Sequence, residues 1–111
     1  MKTQEFKGKK TSDMYIAIRR MKAKPGSLDE AVQRIENGFV PLISSMPGFG
    51  EYIVMQVGED EGLTISVFET QKQAEESNMR AADWVKENLA PLAAGPHEIV
   101  AVGNIRLRKG K

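Results

Sequence analysis

Phe49-Gly50-Glu51-Tyr52-Ile53-Val54-Met55-Gln56-Val57, followed after five residues by Leu63-Thr64-Ile65-Ser66-Val67-Phe68-Glu69, decides how this chain folds. Both runs are short and rich in β-branched and aromatic residues. The loop between them, Gly58-Glu59-Asp60-Glu61-Gly62, has a glycine at each end of an acidic tip. That is the chemistry of a β-hairpin connection. In the first run Phe49, Ile53, Met55 and Val57 fall on one face by two-residue alternation, and Tyr52 and Val54 fall on the other. A strand that is apolar on both faces needs cover on both.

Working outward, Met14–Ala23 reads as a strand that Lys24-Pro25-Gly26 terminates. Ser27 and Glu30 have capping-box spacing, and Leu28, Ala31, Val32, Ile35 and Phe39 recur at helical period. Gly38 and Pro41 predict a break or kink near residues 39–41, and Leu42–Met46 a further short turn. On the other side of the hairpin, Thr70 and Gln73 repeat the capping-box spacing. Ala74, Asn78, Ala81, Val85 and Leu89 then form the stripe of a second helix, closed by Pro91 and Gly95. His97–Leu107 is the last strand and is again apolar on both faces.

The order is therefore strand, helix, strand, strand, helix, strand, the ferredoxin-like βαββαβ pattern. It predicts an α+β fold with a four-stranded antiparallel sheet and both helices on one face. The other face would remain bare and apolar. The same sheet of a second copy is the simplest cover, so a homodimer is expected. Residues 14–107 form the domain, with 1–13 a flexible basic arm and 108–111 a basic tail.

Residues 1–13 carry four lysines against Glu5 and Asp13, a net +2. Arg106, Arg108, Lys109 and Lys111 add +4, which leaves −5 for the body of a chain whose total is +1. With only Phe6 in the first tail to stack on a base, these ends read as solubilising and not as a nucleic-acid grip. The absence of cysteine excludes disulfides, thiolate catalysis and cysteine metal sites. No apolar run approaches the ~20 residues of a membrane span. The start lacks a signal-peptide pattern, so a cytoplasmic protein without membrane association is expected.

Five residues carry candidate chemistry. His97, the only histidine, suits a general base or a single axial ligand; the competing role is a hydrogen-bonded strand-edge residue. One histidine cannot build a two-histidine metal site, and no metal is expected. Asn78 puts an amide into an apolar stripe. It either orients a substrate carbonyl or enolate, or bonds backbone at a helix bend. Trp84, the only tryptophan, either stacks on a flat ligand or fills core or interface. Arg19 shares a strand face with Tyr15, Ala17 and Met21. It either binds an anionic or phenolate ligand, or makes a salt bridge across the dimer to Glu51 or Glu98. Tyr52 completes the candidate ligand contacts. Gly48-Phe49-Gly50 lacks the third glycine of a dinucleotide loop, no nucleophile elbow or Walker loop is present, and Glu59-Asp60-Glu61 lacks calcium-loop spacing.

Lys24-Pro25-Gly26 after the first strand, Met46-Pro47-Gly48-Phe49 with Tyr52, and Ser66-Val67-Phe68-Glu69-Thr70 leading into the Trp84 helix carry a resemblance. Over about residues 14–107 the chain resembles the antibiotic-biosynthesis-monooxygenase-like proteins of the dimeric α+β barrel superfamily. The resemblance implies a homodimer with facing sheets and a pocket between each sheet and its helices. It also implies a cofactor-independent monooxygenase acting on a flat aromatic, phenol- or quinone-like molecule. Haem-degrading members of that superfamily pair a helix tryptophan with a histidine ten residues later, where this chain has Ala94, so no haem and no other cofactor is expected. The alternative is a non-catalytic dimeric structural or ligand-sensing module. An open cavity of roughly 300 Å³ or more at Asn78, Trp84 or His97 would favour the first reading, and a closed core the second.

Overall fold

A computed structural model describes residues 14–110; the predicted arm 1–13 and the last residue of the predicted tail 108–111 lie outside the described residues. Strand β1 (Tyr15–Lys22) leads through the Pro25-Gly26 turn into helix α1 (Leu28–Arg34), a π turn (Ile35–Phe39) and α2 (Val40–Ser44). Strands β2 (Phe49–Gln56) and β3 (Glu61–Phe68) form the hairpin, followed by α3 (Gln71–Asn88), a 3₁₀ turn (Ala90–Leu92) and β4 (Glu98–Asn104). The sheet order is β2-β3-β1-β4, all pairs antiparallel. This is the ferredoxin-like α+β fold that the element order predicts.

The core lies between sheet and helices. Leu28, Ala31, Ile35, Phe39 and Ile43 from the first helical layer meet Ala17, Met21 and Phe68 from the sheet and Ala74, Ala81 and Leu89 from α3. Thr70 caps α3 as expected: its side chain accepts from the Gln73 amide at 3.1 Å, and Gln73 reaches back to the Thr70 amide at 3.1 Å. Gly48, at φ +78°, turns the chain into β2, and any side chain there would collide with Gln73.

Three local expectations are corrected and one is resolved. Ser27 makes no side-chain cap bond, so the first capping box does not form. The helix is disturbed at residues 39–41, as expected, but not broken. A wide π turn runs through Phe39 and restarts as α2 with Pro41 in its first turn, where the missing proline N–H costs nothing. Phe49 does not share a face with Ile53. The register slips between Phe49 and Glu51, so Phe49 pairs with Phe68 on the helix-facing side, their rings 5.8 Å apart. The last strand ends at Asn104, short of Leu107. A slip beside Ile18 also takes Val100 out of register, and Leu107 is exposed.

Candidate functional site

Arg19 is the centre of the helix-facing side of the sheet, and its residue has no exposure at all. Strand alternation puts it there with Ala17 and Met21, and the register sets it opposite Thr64. Its guanidinium is held by neutral oxygens. Nη1 donates to Asn78 Oδ1 at 2.7 Å and makes a long 3.5 Å contact to Ser77 Oγ, Nε donates to Thr64 Oγ1 at 3.1 Å, and Nη2 donates to Ser66 Oγ. Ser77 in turn donates to the Ala74 carbonyl at 2.6 Å. A salt bridge across a dimer to Glu51 or Glu98 does not suit a side chain placed this way. Glu51 pairs with Arg108 at 2.8 Å, and Arg19 points the other way, into the core.

Asn78 likewise does not bond backbone at a bend. Its amide oxygen is taken by Arg19, so it acts on the site by fixing the guanidinium. Thr64, Ser66 and Ser77 were not singled out by sequence reasoning. The signal for the first two was present, because Thr64 and Ser66 alternate with Leu63, Ile65 and Val67 and so put hydroxyls on the helix-facing side.

Around this cation lies a cleft walled by Arg19, Tyr52, Thr64, Phe39, Trp84 and His97. Four of the five sequence candidates therefore line one hollow, and Asn78 stands one hydrogen bond behind it. The Phe39 ring is the shared wall, 5.6 Å from Tyr52 and 5.5 Å from Trp84. Trp84 fits because the facing helix carries Gly38: a Cβ there would come within 2.8 Å of the indole. Space in the cleft is tight. Its free volume of ≈ 10 Å³ holds about one water.

Electrostatics follow from burial. Desolvation pulls the Arg19 pKa down from its ordinary value, opposed by Tyr52, yet a guanidinium stays charged. Desolvation raises Tyr52, with Arg19 and Thr64 acting against it, so the phenol keeps its proton. Burial, then the Arg19 charge, lower His97, which favours the neutral imidazole, a proton acceptor. The hollow thus combines a fixed cation, a phenol donor, a neutral base and two aromatic walls.

Among curated proteins none matches this sequence. Among solved structures, a protein of unknown function from Nitrosomonas europaea superposes with a TM-score of 0.74 at 16% identity, over 92% of this chain and 98% of that one. The ActVA-Orf6 monooxygenase of Streptomyces coelicolor, solved with nanaomycin D, gives 0.71 at 15%, over 92% and 96%. A mutant of SnoaB, a cofactor-independent oxygenase from Streptomyces nogalater, gives 0.61 at 12%, over 89% and 99%. At these identities the likeness is one of fold. The sequence pattern of the antibiotic biosynthesis monooxygenase family matches residues 14–82, a span that takes in β1, the hairpin and the Arg19–Asn78 bond. The chain belongs to the antibiotic biosynthesis monooxygenase family.

Proposed function

We propose that the protein is a homodimer that binds a small, flat, phenol- or quinone-like molecule between sheet and helices and oxidises it with O₂ without a cofactor. The observation that carries this reading is Arg19. A buried charge is nearly always paired, yet among the described residues this guanidinium has only neutral oxygens around it, and no carboxylate lines its cleft. The missing counter-charge is the ligand's. A phenolate fits, with its oxygen on the guanidinium and its ring against Trp84 and Phe39. Two fold relatives described as oxygenases support the same reading.

The reaction that suits these groups converts a ring CH₂ to C=O. Neutral His97 takes a proton, and Arg19 and the Tyr52 hydroxyl hold the resulting phenolate oxygen. The activated ring carbon adds to O₂, and the proton returns to give a hydroperoxide. Loss of water across the remaining C–H and the O–O bond leaves the carbonyl. One oxygen atom enters the product and the other leaves as water. The substrate supplies all four electrons, so no other reductant is needed.

One observation favours a second reading, a non-catalytic dimeric module. The cleft as it stands holds about one water, far below the size of a drug-like pocket. A ligand must move Trp84 or the π turn that faces it. Titration with polycyclic phenols and quinones, read by fluorescence of the lone tryptophan, separates the two. The expected result is a saturating change, with oxygen uptake when a phenol is bound. Asn78→Ala, which removes the amide acceptor that positions Arg19 from α3, should weaken binding by about 1–3 kcal/mol while the protein stays folded. A broad panel that leaves Trp84 unmoved, with Asn78→Ala lowering only the melting temperature, would establish the module instead.

A further inference from the structure

We infer that an apolar bay beside the Arg19 cleft takes an aliphatic substituent of the ligand, which makes the preferred substrates flat phenols bearing a short alkyl chain. This rests on the reading of the Arg19 cleft as the ligand site. The bay lies between the end of β1, α1 and the C-terminal end of α3, with Ala23, Ala31, Leu89, Leu92 and Ala93 among its walls. Its free volume is ≈ 20 Å³. Met21, Val85 and His97 line both hollows, so the bay adjoins the cleft that holds the guanidinium.

The two hollows differ in chemistry. The cleft has Arg19, Tyr52 and Thr64 on its wall. The bay is lined mainly by apolar side chains, and its only polar residues among the described residues are Lys22, which is exposed, and the shared His97. A polar group of a ligand would lose water there without recovering hydrogen bonds, whereas a methylene would gain. The room exists because alanine stands at 23, 31 and 93, where any larger aliphatic residue would fill it. Gly95 lies on the same wall, and a Cβ built there meets no atom within 4 Å, so this side of the bay is open. A chain two or three carbons long would be buried, and a longer one would reach solvent.

The test uses the full-length protein and a panel of naphthols, unsubstituted and with methyl to pentyl chains at ring positions distal to the hydroxyl. Affinity is read by Trp84 fluorescence and by calorimetry. For at least one attachment position, affinity should rise about fourfold per methylene over the first two or three carbons and then level off. Ala93→Leu narrows the bay, and Gly95→Leu plugs its open side at a position with room for a side chain. Either variant should abolish the gain from the chain while binding the unsubstituted naphthol as the parent does, and melting curves identify a variant that fails to fold. If the bare naphthol binds but no chain improves it, or the gain survives in both folded variants, the bay is not a subsite and the Arg19 reading stands. If nothing on the panel binds, the Arg19 reading fails and the bay falls with it.

Discussion

At His97, burial and charge act in the same direction. Loss of water and the nearby guanidinium both disfavour the imidazolium, so its pKa lies below the ordinary 6.5. Above pH 6.5 the ring is neutral in both folded and unfolded chains and contributes no pH dependence. Between 6.5 and the lowered folded value, the unfolded chain binds a proton that the folded chain does not, and stability falls as pH falls. Below the folded value both states are protonated and the loss stops. The parent should therefore lose more melting temperature than His97→Gln between about pH 7 and about pH 5. Equal losses in the two proteins would show that neither burial nor the buried cation depresses the imidazole. Four of the five candidate residues were legible in the sequence as lone functional groups: the only histidine, the only tryptophan, an arginine and an asparagine inside apolar stripes. Their partnership was not legible. Arg19 and Asn78 are 59 positions apart, and only the crossover from sheet to α3 brings them within 2.7 Å.

Two elements show where local sequence chemistry is sufficient and where it is not. Thr70 and Ser27 have the same capping-box spacing, but only Thr70 adopts the extended backbone that aims its oxygen at the third residue of the helix. Ser27 has φ −102° and ψ −1°, already near helical, which leaves its hydroxyl without that bond. The π turn was legible only as a disturbance near Gly38 and Pro41, and the contact that Gly38 makes there is tertiary. Glycine is ordinarily a poor helix residue, and alanine in its place would be expected to add about 1 kcal/mol of stability. At Gly38 the added methyl would meet the Trp84 indole at 2.8 Å. Gly38→Ala should therefore destabilise the protein and shift the tryptophan emission. In a Trp84→Phe background the same substitution should become neutral or stabilising, as measured by denaturant unfolding of all four proteins. Additive effects in that cycle would mean that the helices do not meet through this pair.

At the scale of the whole molecule, the strand order followed from the element order, since right-handed crossovers leave one antiparallel arrangement. The bare second face was also legible, and the structure sharpens it. Opposite the helices, Ile16 and Ile18 of β1, Leu63 and Ile65 of β3, and Ile53 and Met55 of β2 share one surface by register. Ile53 and Met55 remain 42% and 43% exposed, and Val57 follows at 48%. Ion pairs flank this surface, Arg20 with Glu61 at 3.1 Å at one end of the strands and Glu51 with Arg108 at 2.8 Å toward the other. An apolar centre with a charged rim is the anatomy of a protein interface. Arg20 adds a sign of its own: its Nε is shielded from solvent and has no acceptor among the described residues, a deficit that an oxygen on a facing sheet would remove. Light scattering at micromolar concentration should accordingly give twice the 12.3 kDa chain mass. Replacing Ile53 and Met55 together by lysine puts two charges on the apolar face of the edge strand β2 in each copy, four in the assembly. Their desolvation and mutual repulsion should return the mass to that of one chain while the helix-facing core stays intact in circular dichroism. A parent that is monomeric at that concentration would leave the apolar face without its second copy. A lysine variant that remains dimeric would place the contact elsewhere on the surface.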